Sequence, residues 1–277
     1  MAPRHWRERL ETLGLTASGE PTPLSGGDIA AVWRLETREG VVVLKQDDAQ
    51  RLAGEADGLQ ALRAAGTSLV VPDVLGLDDD LLVMEALETK GGRRDDRALG
   101  EGLRELHAVT GDTHGWERDN ACGLTPQPNT PRDDGRVFQR ECRLLPLGRA
   151  CHDKGLLDKA TLESLNSVAE RLEEWLPDTR PSLLHGDLWS GNVLHSTRGP
   201  AIIDPAVYRH YPEVDLAMLT LFGSPSAAFF EAYWDGPAPD DWMRRQALFQ
   251  LYPLLNHLLL FGSGYRSAVE RTIAGLL

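Results

Sequence analysis

Cysteine is scarce in this chain. Cys122, Cys142 and Cys151 are odd in number, form no Cys-x-x-Cys pair and lack the histidine spacing of a zinc site, so a disulfide framework and a zinc module are both excluded. We read them as reduced thiols of a cytoplasmic protein. Long apolar runs are missing too, since no segment approaches the roughly 20 residues of a membrane span. The most apolar stretch, Leu254 to Phe261, is broken by Asn256 and His257 and suits a buried helix. Met1 to Leu15 carries Arg4, Arg7, Glu8 and Arg9 without an uninterrupted apolar core, so a signal peptide is not expected there. Positive charge is in deficit: 29 Lys and Arg against 42 Asp and Glu leave a net charge of -13. That balance repels a phosphate backbone and acidic lipid, so neither nucleic acid nor membrane is an expected partner. Repeats and low-complexity tracts are absent. The 277 residues that remain have the composition of a globular protein with one large or two modest domains.

Against those absences stands one dense constellation. Leu183-Leu184-His185-Gly186-Asp187-Leu188-Trp189-Ser190-Gly191-Asn192 is followed, twelve residues after Asn192, by Asp204 in Ile202-Ile203-Asp204-Pro205. Phosphoryl transfer needs a carboxylate to orient and deprotonate a hydroxyl, and oxygen ligands to hold magnesium against the phosphates. Asp187 precedes Asn192 by five positions, the separation of base and metal ligand in the protein-kinase catalytic loop. Asp204 then supplies the second metal-binding group. Singly, each residue reads equally well as an ordinary turn former; together, with the apolar runs Val193-Leu194 and Ala201-Ile202-Ile203 between them, they point to a kinase for a small molecule.

The chain divides into two patterns. An amphipathic helix over residues 1 to 15 leads to strands at Ile29 to Thr37 and Val41 to Lys45, joined by Arg38-Glu39-Gly40, then to a helix from Ala49 to Ala65. Leu52, Glu55, Leu59 and Leu62 fall on one stripe of that helix, so Glu55 sits among apolar residues and needs a partner. Lys45 is the candidate, as in kinases whose strand lysine is held against the α- and β-phosphates by a helix glutamate; the plainer alternative leaves both at the surface. Val70-Val71-Pro72, Val74 to Leu77 and Leu81 to Glu85 complete a five-stranded antiparallel sheet, with an acidic turn at Asp78-Asp79-Asp80. Residues 1–85 are then a nucleotide-binding lobe and 86–94 a hinge, with backbone groups of Glu85, Ala86 and Leu87 placed for an adenine edge. Residues 95–277 form a mostly helical lobe, with helices at Ala98 to Val109, Arg136 to His152, Lys159 to Leu176, Val214 to Phe222, Ser226 to Trp234, Asp241 to Phe261 and Arg266 to Leu276, and a long loop from Gly111 to Gly135. The expected class is α+β, a bilobal protein-kinase-like fold.

The strings His185 to Asn192, Ile203-Asp204-Pro205-Ala206 with Tyr208 and His210, and Glu213-Val214-Asp215-Leu216-Ala217-Met218 resemble the fructosamine kinase (ketosamine-3-kinase) family, which shares the aminoglycoside-phosphotransferase-like fold. Gly54-Glu55-Ala56 and Leu255-Asn256-His257 with Phe261-Gly262 and Tyr265 extend the likeness over nearly the whole chain. The resemblance implies that Asp187 takes the proton of a sugar 3-hydroxyl, that Asn192 and Asp204 hold Mg2+, and that Lys45, paired to Glu55, contacts ATP under the turn Ser25-Gly26-Gly27. His185 and Asp215 would brace the catalytic loop. Trp189 either stacks on substrate or packs beneath the loop. Three departures stand out: no cysteine at the Leu24 to Asp28 turn, Arg209 where glycine is usual, and a loose likeness over Thr113 to Pro131. The expected activity is an ATP- and Mg2+-dependent kinase acting on the 3-hydroxyl of a ketosamine or glycated amine in deglycation, as a monomer. The alternatives are another hydroxylated amine, aminoglycoside or choline-like, and a nucleotide-binding pseudokinase.

Overall fold

The computed structural model describes residue 3 and residues 5–24 and 30–277. A two-residue period builds its first layer. Helix α1 (Trp6–Thr12) lies on one face of a sheet made of β1 (Thr22–Pro23), β2 (Ala31–Glu36), β3 (Val41–Gln46), β4 (Val74–Asp78) and β5 (Leu81–Glu85), all antiparallel in the order β1-β2-β3-β5-β4. Alternate residues point to opposite faces. Val42, Leu44, Leu81 and Val83 pack under Trp6 and Leu10, whereas Val43, Leu82 and Met84 face helix α2 (Ala49–Ala64). Lys45 sits in the middle strand opposite Val32 and Leu82, on the α2 side.

Asp48 caps α2 by accepting from the amides of Gln50 and Arg51. Leu52, Leu59 and Leu62 are fully buried against the sheet, and the opposite side of the helix is buried as well. A Cβ on Gly54 would lie 3.0 Å from the Asn120 Cβ, and one on Gly58 3.0 Å from Pro205 and Val207 side chains. Two glycines inside a helix cost about 1 kcal/mol each relative to alanine; here they admit close contact with the second half of the chain. Core residues Leu52, Ala56 and Leu59 therefore share one cluster with Leu103, Leu183 and Val207.

The second half begins with α3 (Asp96–His107), capped by Asp95, which accepts from the Ala98 amide. Then come a small hairpin of β6 (Asn120–Cys122) and β7 (Thr125–Gln127), α4 (Gly135–Phe138), α5 (Leu145–Asp153) and α6 (Lys159–Glu170). Strand β8 (Ser182–Leu184) pairs with β11 (Tyr208–His210), and β9 (Val193–Ser196) with β10 (Gly199–Ile202). Helices α7 (Glu213–Leu219), α8 (Ala227–Trp234), α9 (Trp242–Phe261) and α10 (Arg266–Leu276) close the lobe. The crossing between β5 and α3 lies flat on the β9–β10 hairpin: Thr197 N donates to Glu88 O at 2.9 Å, and a Cβ on Gly92 would meet His195 O at 1.9 Å.

Several sequence expectations shift. Val70 joins no sheet of its own half; it bridges to Ala201 of β10 in parallel, and Thr22–Pro23 supplies the fifth strand. The expected helix over Arg136 to His152 is interrupted by a π turn at Gln139–Leu144. Pro146 has no N–H for the Cys142 carbonyl, which accepts instead from Arg143 Nη1 at 3.0 Å. Helix α6 stops at Glu170 and α7 at Leu219, the latter with Thr220 Oγ1 bonded to Leu216 O. The Gly111 to Gly135 loop contains the β6–β7 hairpin. Phe261, expected inside, is 59% exposed.

Helix α3 touches the backbone of α8, where a Cβ on Gly100 would lie 2.4 Å from Phe229 O. Replacing Gly100 by Ala gains about 1 kcal/mol of helix propensity, but overpacking against fixed backbone costs about 1–3 kcal/mol. Calorimetry should therefore show a lower Tm for Gly100→Ala; a higher Tm would mean that the α3–α8 contact yields readily.

Candidate active site

The site is assembled where the two halves face each other. Lys45 Nζ lies 2.7 Å from Glu55 Oε2 and 3.1 Å from Asp204 Oδ1. Burial alone would strip its proton, but the two carboxylates reverse that and hold the ammonium at about 12. Glu55 Oε1 is buried without a partner among the described residues. Asp204 is the more exposed carboxylate, and it adopts a left-handed conformation at φ 55 directly before Pro205, a strained placement typical of functional sites.

Beneath it, a web of hydrogen bonds fixes the loop that follows β8. Asp215, fully buried, accepts from the amides of His185 at 2.7 Å and Gly186 at 2.9 Å, and its Oδ2 lies 3.2 Å from His107 Nε2. Gly186 takes φ 82, and a Cβ there would strike Ala206 O at 2.0 Å, so only glycine passes. His185 Nδ1 receives the Asp187 amide at 3.3 Å while Nε2 faces Ile203 O at 2.9 Å. Burial keeps this imidazole neutral, which matches one accepting and one donating nitrogen. His185 thus couples the Asp187 loop to the strand end carrying Asp204. Asn192 Nδ2 donates to Asp187 O at 2.8 Å, which leaves its amide oxygen free to act as a ligand.

Burial and the negative charge of Asp204 push the Asp187 carboxyl up to about 7. The Cys122 thiol beside it acts in the opposite sense, and Asn256 Nδ2 reaches Cys122 Sγ at 3.4 Å. Behind these lies Arg143, fully buried and stacked on Phe138, Tyr208 and Tyr252. It donates to Pro128 O and Asn129 Oδ1 and pairs with no carboxylate among the described residues. Gln127 and Asn120 bind the carbonyls of Ala206 and Val207. Sequence reasoning missed this support: Asn120, Gln127 and Asn129 lie in the segment of loose likeness, and nothing in the local pattern marks a lone Cys or Arg as buried beside a carboxylate.

Of the remaining sequence-predicted residues, Ser25, Gly26 and Gly27 lie outside the described residues. Trp189 is 40% exposed, with its ring against Gly191. At the crossing, the amides of Glu85 and Ala86 already donate to Asp73 O and Val41 O. Among the described residues only the Leu87 amide of the three is free of a backbone carbonyl.

The donor set fits magnesium. Asn192 and Asp204 offer hard oxygens, and Asp204 shares the single Lys45 ammonium with Glu55, so a divalent cation beside Asp204 would meet carboxylate charge that one ammonium only partly offsets. No group of three His, Cys, Asp or Glu residues able to hold a metal occurs among the described residues. Two protein ligands completed by phosphate oxygens and water is the usual magnesium arrangement.

A model of the family described as fructosamine kinase matches residues 6–277. The chain belongs to the fructosamine kinase family. A probable ketoamine kinase of Thermus thermophilus is 37% identical over 268 residues, covering 96% of this chain and 97% of that protein. The crystal structure of a protein designated a fructosamine-3-kinase from Thermobifida fusca superposes with a TM-score of 0.90 at 31% identity, covering 99% of each chain. An aminoglycoside phosphotransferase crystallised with AMP-PNP and hygromycin B shares the fold alone, at 16% identity and a TM-score of 0.65 over 99% of this chain and all of that one. The α+β kinase-like fold and family membership in a group of kinases are thus established. No helix among the described residues is long and apolar enough to cross a membrane.

Asp187 provides a test of the site's electrostatics. Its folded pKa lies above the unfolded value of 3.8, so ionisation costs the fold stability as pH rises from about 4 to about 7 and no more above that. Without metal or nucleotide, Asp187→Asn should raise Tm, by a margin that widens across this window; a margin independent of pH would contradict a desolvated carboxylate.

Proposed function

We propose that the chain is an ATP- and magnesium-dependent kinase that phosphorylates the 3-hydroxyl of a ketosamine, the sugar-amine adduct left by glycation. The observation that carries this reading is the meeting of Lys45 and Glu55 from one half with Asp204 of the other, which stands beside the loop on which Asp187 and Asn192 are braced. The family supports the sugar-amine class, and the aromatic face of Trp189 beside the loop supports stacking on the acceptor.

In this reading the acceptor hydroxyl donates its proton to Asp187 as its oxygen bonds to the γ-phosphorus, and the bond to the β-bridging oxygen breaks to release ADP. A base with a pKa near neutrality suits that proton transfer. Lys45 holds the α- and β-phosphates, and Glu55 keeps the ammonium aimed across the cleft. Magnesium, held by Asn192 and Asp204, supplies charge neutralisation at the phosphates when bound. Asp215 and His185 fix the loop so that Asp187 needs little reorganisation. Residues 86–94 serve as the hinge between a nucleotide lobe (1–85) and a substrate lobe (95–277). The cytoplasm, where free sugars and amines react, suits a deglycation role, and an acidic surface suits a cationic amine acceptor.

ADP-coupled turnover on fructosyl-lysine, ribulosyl-lysine, choline and kanamycin, with NMR location of the phosphate, tests the assignment. Phosphorylation of a ketosamine at the 3-hydroxyl is expected; turnover of choline or kanamycin alone would overturn it. Asp187→Asn should lower kcat by about 10³-fold, within the range of a lost general base, while ATP still raises Tm. A parent protein that binds ATP yet turns over none of the four acceptors would instead be a pseudokinase.

A further inference from the structure

The residue two positions beyond Glu55 points away from the nucleotide site. At 100° per residue, Glu55 and Asp57 stand about 200° apart around α2. Glu55 faces Lys45, whereas Asp57 Oδ2 accepts from the indole Nε1 of Trp116 at 2.7 Å. Trp116 belongs to the second half of the chain, and its backbone is held there: its amide donates to Asn129 O at 2.9 Å. Its ring is buried and covered by the Arg209 guanidinium at 4.5 Å. Arg209 is itself locked by reciprocal backbone hydrogen bonds with Gly115, at 2.8 and 2.9 Å. On the same side of α2, Gly54 and Gly58 admit Asn120, Pro205 and Val207 at contact distance. Arg118 lies 3.9 Å from the Asp57 carboxylate and adds a weaker, more exposed interaction.

A helix gripped from both sides cannot rotate without breaking the Trp116–Asp57 hydrogen bond, and rotation is the motion that would carry Glu55 away from Lys45. We propose that Trp116 and Asp57 are positioning residues for the nucleotide site: a strap from the second half of the chain that holds α2, and through it Glu55, in the arrangement that aims Lys45 at ATP. Arg209, which replaces the usual glycine, belongs to this strap as the lid on Trp116. The inference rests on the assignment of the Lys45–Glu55 pair to ATP.

The strap acts through Glu55, and that sets its test on the full-length chain. Asp57→Ala and Trp116→Phe each remove the hydrogen bond and should raise the KM for ATP about 5- to 10-fold, the worth of one such bond, with the ketosamine KM unchanged. Asp57→Asn keeps an accepting oxygen and should stay within about twofold of the parent. In a Glu55→Gln background the Asp57→Ala change should add less than about twofold, because residues acting in series are not additive. Equal effects of Asp57→Ala in both backgrounds, a parallel rise in the ketosamine KM, or no change in either KM would overturn the strap. Should Trp116→Phe fail to fold, the Asp57 pair and the double variant decide the matter alone. If Glu55→Gln itself leaves the ATP KM unaltered, the nucleotide assignment of the pair fails, and the strap inference fails with it.

Discussion

The arrangement depends on one ammonium group shared by carboxylates from the two halves of the chain. Lys45 leaves the central strand of the sheet and meets Glu55 of the adjacent helix and Asp204 of the opposite lobe. Withdrawing such a group from water is costly, and a half-paired buried ion costs several kcal/mol more than a paired one. The fold accepts that cost because two carboxylates, Glu55 and Asp204, share the one ammonium. Burial, and after it the charge of Asp204, raises the proton affinity of Asp187, and the oxygens of Asn192 and Asp204 are where a divalent cation would offset carboxylate charge. The same crowding of carboxylates is what a metal-bound nucleotide would relieve.

Precision comes from buried polar groups arranged behind the reacting ones. Asp215 satisfies the two amides that turn the chain at His185 and Gly186, and His185 spans from the Asp187 amide to Ile203 O. One buried carboxylate and one neutral imidazole therefore fix the relative positions of base and metal ligand. A second layer, formed by Asn120, Gln127, Asn129, Arg143 and Asn256, ties the long loop beneath the catalytic segment, so this part of the loop acts as scaffold. Buried polar networks of this kind specify one arrangement more sharply than apolar packing does.

Much of this was legible in the sequence, for physical reasons. The spacing of Asp187, Asn192 and Asp204 is set by backbone geometry and survives as a pattern, and Glu55 betrayed itself by occupying an apolar stripe. The sheet was legible in its four longer strands, β2 to β5. Thr22–Pro23 is too short to announce itself, and Val70 was misassigned because a β-rich dipeptide does not say which partner it will meet across the cleft. The π turn depends on Pro146 removing a single donor, a signal readable only once the helix is known to continue through it. The roles of Cys122 and Arg143 were invisible because they lie in contacts with residues distant in sequence, or with backbone carbonyls that carry no sequence signature; Asn256 stood out only as part of a family string, without its contact to Cys122. The exposure of Trp189 likewise depends on Gly191 letting the ring fold over the loop.

The central claim, that groups from both halves converge on one metal-bound nucleotide, is tested most directly by crystallising the chain with AMP-PNP and Mn2+ and locating the ion by its anomalous scattering. The account predicts a Mn2+ peak coordinated by the side-chain oxygens of Asn192 and Asp204, with Lys45 Nζ moved from Asp204 onto a phosphate oxygen and still bound to Glu55. A bound nucleotide whose metal lies away from those two residues, or whose phosphates make no contact with Lys45, would contradict it.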